Sequence, residues 1–570
     1  MELLDSHRLT GPNLIQDLPG AALEVALVAP GDAPVVVAWR ERARAVLDAL
    51  GWSQHTLTER HYKGGASLAF SAPHDSLYAA CEANEWAWGA AVAQVRGEIF
   101  ESLDVATVRL AAVIALEADP KRCALHDAAG LHGVQFLADD EFVTIGSGAG
   151  GHSFAVADLP AVEAIDWRAV HDVPTVLVTG TNGKSTTVRL LASMAAHAGH
   201  VVGTCSTDRV QVGDDVVGAG DYSGPEGARR VLRDRRTTIA FLETARGGLL
   251  RRGLSIGRAD VAIVLNVAAD HLGEGGVDDV ETLTRVKLLV SRAVGEGRLV
   301  LCADDPWLAP HIASNRLDDD RELPPVTLFS LHPEAPSVCA AMARGASTCV
   351  LDGSQLVIRS DGQCRVIADV QDVPATFGGT ARFNVHNALA AIAAATALGI
   401  DPAAITAGLQ SFVSSPEDNP GRGNRFDIGG VQVIVDFAHN AHSVSALADM
   451  VTTLPSSRRL VLLGQAGDRS DESVRDLVRA TLQFRPDLII VKRMRELLRG
   501  RDENAMVDLI EAELLALGTP SDAIMRSNSE LEAVHAALAW ARPGDLLLLL
   551  SHSQRADVLA LMQRLQSEQA

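Results

Sequence analysis

The chain has 570 residues, of which 47% are hydrophobic and 21% charged, and its formal charge is −22. This composition is typical of a globular protein, and about 100–200 residues per domain gives room for three or four domains. An acidic chain repels the phosphate backbone, which argues against nucleic acid as the main partner. The sequence shows neither the roughly 18 apolar residues of a membrane span nor a signal peptide, so we expect a cytoplasmic protein without a membrane partner.

The alternation of strand-like and helical patterns divides the chain into three parts. Residues 1–160 mix both patterns without a cluster of catalytic side chains, which indicates an α+β N-terminal domain. Over residues 174–413, short apolar runs alternate with helical patterns, as in an α/β central domain with a parallel sheet. The stretch SSPEDNPG interrupts this pattern, and a second alternation over residues 414–570 predicts a Rossmann-like C-terminal domain.

The segment TVLVTGTNGKSTT, residues 175–187, predicts a phosphate-binding loop. A β-branched strand leads into glycines, and an apolar helical pattern follows, so backbone N–H groups and a helix N-terminus can face phosphates. Lys184 would reach the terminal phosphates of ATP, and the Ser185 hydroxyl would bind Mg²⁺. The glycines are closer together than in the usual GxxxxGK[ST] loop. The predicted ATP-binding residues here are Gly180, Thr181, Asn182, Gly183, Lys184, Ser185 and Thr186.

Polar side chains also follow other predicted strands. Glu243 comes directly after a buried strand and is well placed for Mg²⁺, and His271 follows the next strand, where a neutral imidazole can bind metal. Because open α/β sheets bind ligands at the carboxyl ends of their strands, we expect these side chains to line one cleft. The C-terminal part adds a second side to this cleft with Arg422, Asp436 and His439.

Seven motifs in this order resemble the Mur ligase superfamily: GTNGKST, ETARGG, NVAADHLG, ADDP, RFNVHNALAA, GRGNRF and DFAHN. Within the superfamily the chain is most similar to the Mur-ligase-like half of cyanophycin synthetase, over residues from about 165 to 570. The resemblance implies a P-loop central domain and a C-terminal domain of the Mur ligase type. Residues 1–160 are weakly similar to the N-terminal domain of the same synthetases.

The resemblance also implies a reaction, namely ATP-dependent amide formation through an acyl phosphate, with release of ADP and phosphate. By this resemblance Ser185 and Glu243 hold one Mg²⁺ and His271 a second, while Asn387 reads adenine. Arg422, Asp436 and His439 face the nucleotide from the other domain. The catalytic residues it implies are Lys184, Lys287 and His271.

Lys287 matches a position that is often carbamylated in the superfamily. A desolvated lysine with a lowered pKa can capture CO₂ and become an anion. The helix could equally present Lys287 to solvent, so the sequence leaves both alternatives open.

The join between the first two parts sets the expectation for substrates. Cyanophycin synthetases carry an ATP-grasp module there, whereas FVTIGSGAGGHSF leads almost directly into the Mur-like part. We therefore expect one ligase centre, which joins an amino-acid amine to a small or peptide carboxylate without building a polymer. The resemblance ranks a basic amino acid first as amine donor. A degenerate ligase acting as a nucleotide-binding regulatory partner and a nucleotide-driven hydrolase or kinase-like enzyme stay as alternatives, and homo-oligomerisation stays open.

Overall fold

The computed structural model describes residues 1–27, 32–360 and 362–568. Its N-terminal part contains an antiparallel sheet in the order β1-β2-β4-β3, packed helices and a small antiparallel sheet, β5-β6-β7. The elements are β1 (Glu2–Leu9), β2 (Gly20–Ala26), α1 (Ala33–Ala49), β3 (Leu57–Tyr62), β4 (Gly65–Ser71), α2 (Leu77–Arg96), α3 (Leu103–Glu117), α4 (Pro120–His132), β5 (Phe136–Ala138), β6 (Phe142–Ile145) and β7 (His152–Ala155).

The core of this part lies between the first sheet and helices α1 and α2. Trp39 is fully buried there, and its indole N–H donates to Asn84 Oδ1 at 2.8 Å. The Asn84 amide in turn donates to the Leu68 carbonyl at 3.0 Å, so the buried polar groups are paired. The predicted α+β class of the N-terminal domain is confirmed.

The central part is a large sheet covered by helices, in the order β11-β10-β9-β12-β8-β13-β14-β15-β16-β17-β18. Its elements are β8 (Thr175–Thr179), α5 (Lys184–His197), β9 (Val202–Cys205), β10 (Arg209–Val212), β11 (Asp215–Ala219), α6 (Pro225–Arg233), β12 (Ile239–Glu243), α7 (Arg246–Arg251), β13 (Val261–Val264), α8 (Val280–Leu288), β14 (Arg298–Cys302), α9 (Ala309–Ser314), β15 (Val326–Ser330), α10 (Pro336–Ala343), β16 (Ser347–Asp352), β17 (Gln355–Ser360), β18 (Gln363–Asp369), α11 (Arg382–Ala397) and α12 (Pro402–Ser411).

The middle of this sheet, from β9 to β16, is parallel, whereas both ends are antiparallel. The predicted parallel α/β layer is thus a mixed sheet. The central strands β8, β12 and β13 are buried along their whole length, which explains their continuous apolar sequences. Because β12, β8 and β13 are parallel neighbours, the residues that follow them meet at one edge of the sheet.

The C-terminal part is a second, mostly parallel sheet in the order β19-β20-β24-β21-β22-β23, with only the β19–β20 pair antiparallel. Its elements are β19 (Asn424–Ile428), β20 (Val431–Asp436), α13 (Ala441–Val451), β21 (Arg459–Leu463), α14 (Asp471–Leu482), β22 (Leu488–Lys492), α15 (Ala505–Ala516), β23 (Ile524–Ser527), α16 (Glu530–Trp540), β24 (Leu546–Leu550) and α17 (Arg555–Ser567). No helix among the residues described here is long and apolar enough to cross a membrane.

Candidate functional site

The loop between β8 and α5 has the backbone that its glycines require. Gly180 and Gly183 have φ angles of 153° and 89°, where side-chain-bearing residues are strained. A Cβ atom at Gly183 would lie 2.2 Å from Asn387 Oδ1, so any larger residue there would displace the Asn387 side chain. The Lys184 ammonium donates to the carbonyls of Gly180 at 3.1 Å and Thr181 at 3.0 Å. The lysine side chain therefore points back over its own loop, and Lys184 is also the first residue of α5.

Ser185 and Glu243 form a buried pair beside this loop. The Ser185 hydroxyl donates to Glu243 Oε2 at 2.8 Å. Burial raises the pKa of Glu243, while the charge of Lys184, the hydrogen bond from Ser185 and the charge of Arg422 oppose that rise. A buried carboxylate is costly unless positive charge compensates it. A carboxylate and a hydroxyl are also oxygen ligands of the kind that Mg²⁺ prefers, so this pair fits a magnesium site.

A cavity of about 460 Å³ opens between the phosphate loop and the C-terminal sheet. Arg422 and Asp436 face the loop across it, and the Arg422 guanidinium lies 4.6 Å from the centre of the Phe437 ring. Burial raises the pKa of Asp436, and the charge of Arg422 opposes the rise. The cavity wall includes the sequence-predicted residues Thr181, Asn182, Gly183, Lys184, Ser185, Thr186, Glu243, Asn387, Arg422, Asp436 and His439.

Asn387 lines this cavity, and a chain of hydrogen bonds fixes its side chain. Its side-chain amide donates to Asn384 Oδ1 at 3.0 Å, and the Asn384 amide donates to the Ala375 carbonyl at 2.7 Å. Both asparagines are buried on α11. This chain of hydrogen bonds fixes the Asn387 oxygen against Gly183.

His271 lies outside the cavity wall, in a cluster with Asp270 and His439 whose ligand-type atoms are within 4.8 Å of one another. The Arg469 guanidinium donates to His271 Nε2 at 2.8 Å and lies 3.4 Å from Asp270 Oδ1. Burial lowers the pKa of His271, although the charge of Asp270 opposes it, so the imidazole is biased toward its neutral form. A neutral imidazole beside a carboxylate fits a second divalent cation, once Arg469 releases Nε2.

Lys287 is buried within α8, with 4% of its surface exposed. The alternative that the helix presents this lysine to solvent is therefore wrong. Burial lowers the pKa of Lys287 to about 7, and the charge of Lys184 adds to the effect. Near pH 7 the Lys287 amine is consequently neutral in a large fraction of the molecules, and only the neutral amine is a nucleophile.

Comparison with protein families matches two models to this chain. The Mur ligase middle domain matches residues 178–395, and the Mur ligase, glutamate ligase domain matches residues 421–552. These ranges contain both sides of the cavity described above. The chain belongs to the Mur ligase family.

Individual relatives agree with this assignment. The chain is 38% identical over 344 residues to a cyanophycin synthetase of Synechocystis sp., which covers 60% of this chain and 38% of that protein. It is 29% identical over 400 residues to a UDP-N-acetylmuramoyl-L-alanyl-D-glutamate--2,6-diaminopimelate ligase of Geobacter metallireducens, with coverages of 66% and 73%. The chain spans about two fifths of the length of the cyanophycin synthetases it matches.

Among solved structures, a bifunctional folylpolyglutamate synthase/dihydrofolate synthase with Mn, AMPPNP and L-glutamate bound aligns with a TM-score of 0.49 at 19% identity. The alignment covers 68% of this chain and 89% of that one.

Two residues that make inter-element contacts in this member of the Mur ligase family were not predicted from the sequence. The Asp208 side chain is only 7% exposed, and it accepts from Arg189 at 2.8 Å and from Arg555 at 2.6 Å, which ties α17 to the central domain. Phe437 lies beneath both Arg422 and Arg555. A single aspartate in a loop carries no sequence signal, but the position of Phe437 inside the DFAHN motif could have drawn attention to it.

Proposed function

We propose that this Mur ligase family protein is an ATP-dependent amide ligase that joins the amine of an amino acid to a carboxylate. One observation carries the proposal. Lys184, Ser185 and Glu243 lie on one side of a single cavity, and Arg422 and Asp436 lie on the other. Cations on both sides of a polyphosphate, next to a buried carboxylate, suit phosphoryl transfer better than simple nucleotide storage.

The proposed reaction has two steps. In the first, an oxygen of the substrate carboxylate attacks the γ-phosphorus of ATP, the bond to the bridging oxygen breaks, and ADP leaves. Lys184 and the N–H groups of the loop stabilise the charge that develops on the phosphates. In the second, the amine nitrogen attacks the acyl carbon, a C–N bond forms, phosphate leaves, and the nitrogen loses a proton to solvent.

Ser185 and Glu243 would hold one Mg²⁺, and His271 a second divalent ion. When bound, the metal ions offset the repulsion between the substrate carboxylate and the phosphates.

We expect Glu243→Ala and His271→Ala each to lower the rate of ADP release by about 100-fold or more, because each variant loses several kcal/mol of transition-state stabilisation. The measurement is ADP release in a Mg²⁺ titration at saturating ATP. Glu226→Ala is the matched control, because Glu226 is exposed and paired with Arg230. Wild-type rates at limiting Mg²⁺ would remove the metal role of the residue concerned.

Lys287 is proposed to carry a carbamate, which forms when the neutral amine attacks CO₂ and releases a proton. Because the pKa of Lys287 is about 7, the neutral fraction grows as pH rises through 7, and carbamate formation should grow with it. The measurement is a ¹³C NMR signal after incubation with ¹³C-bicarbonate at pH 6 and pH 8. The signal should be stronger at pH 8 and absent in Lys287→Ala. An equal signal in that variant would place the modification elsewhere.

The neighbourhood of Arg469 supports an amino acid as amine donor. Arg469 Nε and Nη1 and Asp468 Oδ1 are buried without a hydrogen-bond partner among the described residues. Such groups are costly unless a ligand completes them. Arg469 suits the α-carboxylate of the donor. The carboxylates of Asp468 and Glu274 lie near His271 and accept from Arg499 and Arg246, and a cationic side chain of the donor would take the place of these arginines. A basic amino acid is therefore ranked first, with a small or peptide carboxylate as acceptor in the cytoplasm, where ATP is abundant.

The proposal predicts one addition per acceptor. We expect ATP, an aspartate-containing peptide and arginine to give a single new amide, together with one ADP per product. Mass spectrometry of the products, with lysine and glutamate as competing donors, is the measurement. A ladder of alternating additions would contradict the single addition. Tight ATP binding without any product from a full set of amino acids would favour the regulatory, nucleotide-binding alternative.

A further inference from the structure

The N-terminal domain contacts the loop that follows His271. Arg60, on β3, donates from Nη1 to the Gly276 carbonyl at 2.8 Å and from Nη2 to the Gly275 carbonyl at 2.7 Å. One guanidinium thus binds two successive backbone carbonyls of another domain. A planar group with fixed N–H directions does this well, whereas a single ammonium cannot match the same geometry.

Arg60 is itself held in place within the N-terminal domain. Its Nη2 also donates to the Ser67 hydroxyl at 3.0 Å. The hydroxyls of Ser67 and Tyr62 both donate to Glu24 Oε2 at 2.9 Å. The guanidinium lies 5.1 Å from the centre of the Tyr62 ring. The side chain that reaches the loop is therefore part of a fixed network rather than a free surface arginine.

The loop fits against this network closely. Gly275 and Gly276 have φ angles of 58° and 64°, and a Cβ atom at Gly276 would lie 2.3 Å from the Tyr62 ring. The Lys63 N–H donates to Asp278 Oδ2 at 3.1 Å, which adds a second attachment. Adjacent glycines have many accessible conformations, so these contacts, together with the hydrogen bonds within the loop from Gly273 to Val277 and from Val277 to Glu274, select the one seen here.

The same loop continues directly into the functional site. Glu274 is the residue before Gly275. Its Oε1 lies 3.4 Å from His271 Nδ1, and its Oε2 accepts from Arg246. The Arg246 guanidinium also donates to the His271 carbonyl. His271 has a φ of 53°, a conformation that a non-glycine residue adopts only where its surroundings impose it.

We propose that Arg60 is a positioning residue, through which the N-terminal domain fixes the 273–278 loop and so orients Glu274 and His271. This assigns a role in the reaction to a domain whose described residues, 1–27 and 32–160, are absent from the walls of the nucleotide cavity. The inference rests on the proposed function in so far as His271 acts at the ligase centre. Groups that orient a metal-binding histidine typically change metal affinity or activity by about 10- to 100-fold when they are removed.

The test compares Arg60→Met with Arg44→Met in the full-length protein. Arg44 is the matched control, because it also donates to two carbonyls, those of Ser53 and His55, but within the N-terminal domain. Hydrogen exchange of the free protein should be faster by about tenfold or more over residues 272–278 in Arg60→Met alone. Asp278→Ala, a change at an exposed loop residue, gives the same readout should Arg60→Met fold poorly. Unchanged exchange in these loop variants would overturn the proposal.

Two further measurements connect the loop to the site. Mn²⁺ affinity in the presence of ADP, measured by electron paramagnetic resonance, should fall by about tenfold or more in Arg60→Met, and kcat should fall with little change in KM for ATP. Arg60→Lys should restore only part of each loss, because lysine keeps the positive charge but lacks the planar guanidinium that binds two carbonyls. Faster loop exchange with unchanged Mn²⁺ affinity would overturn the orienting role. If the wild-type protein makes no amide but Arg60→Met still alters loop exchange and Mn²⁺ affinity, the positioning role of Arg60 stands and the ligase function is refuted.

Discussion

Lys184→Ala is expected to lower ADP formation by about 100- to 1000-fold, because the phosphates lose the cation that stabilises their developing charge. The Lys184 ammonium is already directed over the loop, where it donates to the Gly180 and Thr181 carbonyls. Phosphates bound in the cavity would offer it stronger, charge-assisted partners than these neutral carbonyls. The loss should therefore appear in kcat, measured as ADP release at saturating ATP and Mg²⁺.

The melting temperature of Lys184→Ala shows whether the lost activity comes from lost phosphate binding or from unfolding. Each hydrogen bond from the charged ammonium contributes about 1.5–3 kcal/mol, so Lys184→Ala should lower the melting temperature by several degrees and still leave the protein folded. Lys121→Ala is the matched variant, because Lys121 donates to the Leu159 carbonyl at 3.0 Å far from the phosphate loop. It should keep wild-type turnover. Full activity in a folded Lys184→Ala protein would refute the phosphate-binding role.

Glu530→Gln is expected to destabilise the C-terminal domain by about 3–5 kcal/mol, because it leaves a buried ammonium without its anion. Lys492 and Glu530 form an ion pair in which both side chains are 0% exposed. Glu530 also accepts from the backbone N–H groups of His552 at 2.8 Å and Gln554 at 3.1 Å, so one carboxylate holds the segment after β24. Calorimetry should show the transition of this domain lowered by on the order of 10 °C.

A double variant separates the lost charge from lost packing. Lys492→Met combined with Glu530→Gln removes both charges, and should recover much of the stability that Glu530→Gln loses. Glu568→Gln, which changes an exposed partner of Arg564, should stay within about 0.5 kcal/mol of wild type. A transition in Glu530→Gln as stable as that of wild type would mean that the buried pair does not hold the domain together.

The same pair makes the domain sensitive to acid. Burial pulls the pKa of Glu530 upward, but the charge of Lys492 and hydrogen bonds to the carboxylate outweigh it and hold the pKa below its ordinary 4.5. Stability from this carboxylate is therefore complete above pH 4.5 and is lost as pH falls through the lower value of the folded state. Lys492 also lies 3.3 Å from His552 Nδ1, and His552 Nε2 donates to the Ala438 carbonyl at 3.1 Å. Loss of the pair should thus disturb the segment that carries Asp436 and His439.

The sequence by itself determined the features that depend on neighbouring residues. The phosphate loop could be predicted because strand, glycines, Lys184 and helix occur within thirteen residues, and the backbone of such a loop is set locally. Glu243 and Asp436 could be placed at strand ends because each ends a buried apolar run, and ligands bind at the carboxyl ends of parallel strands. The α/β class and the Mur ligase family could also be predicted from the sequence, because the motifs are short and occur in a fixed order along the chain, and both predictions were confirmed.

Only the tertiary structure decided which distant residues meet. The pairs Arg469–His271, Asp208–Arg555, Lys492–Glu530 and Arg60–Gly276 join positions from 38 to 347 residues apart. The burial of Lys287, and with it the lowered pKa, depends on how the rest of the fold packs around α8 rather than on the sequence of the helix itself. Periodicity places an apolar face on a helix, but it carries no information about the partner of a polar side chain. That partner is fixed by domain packing, because a buried charge is stable only where the fold brings a complementary group to it.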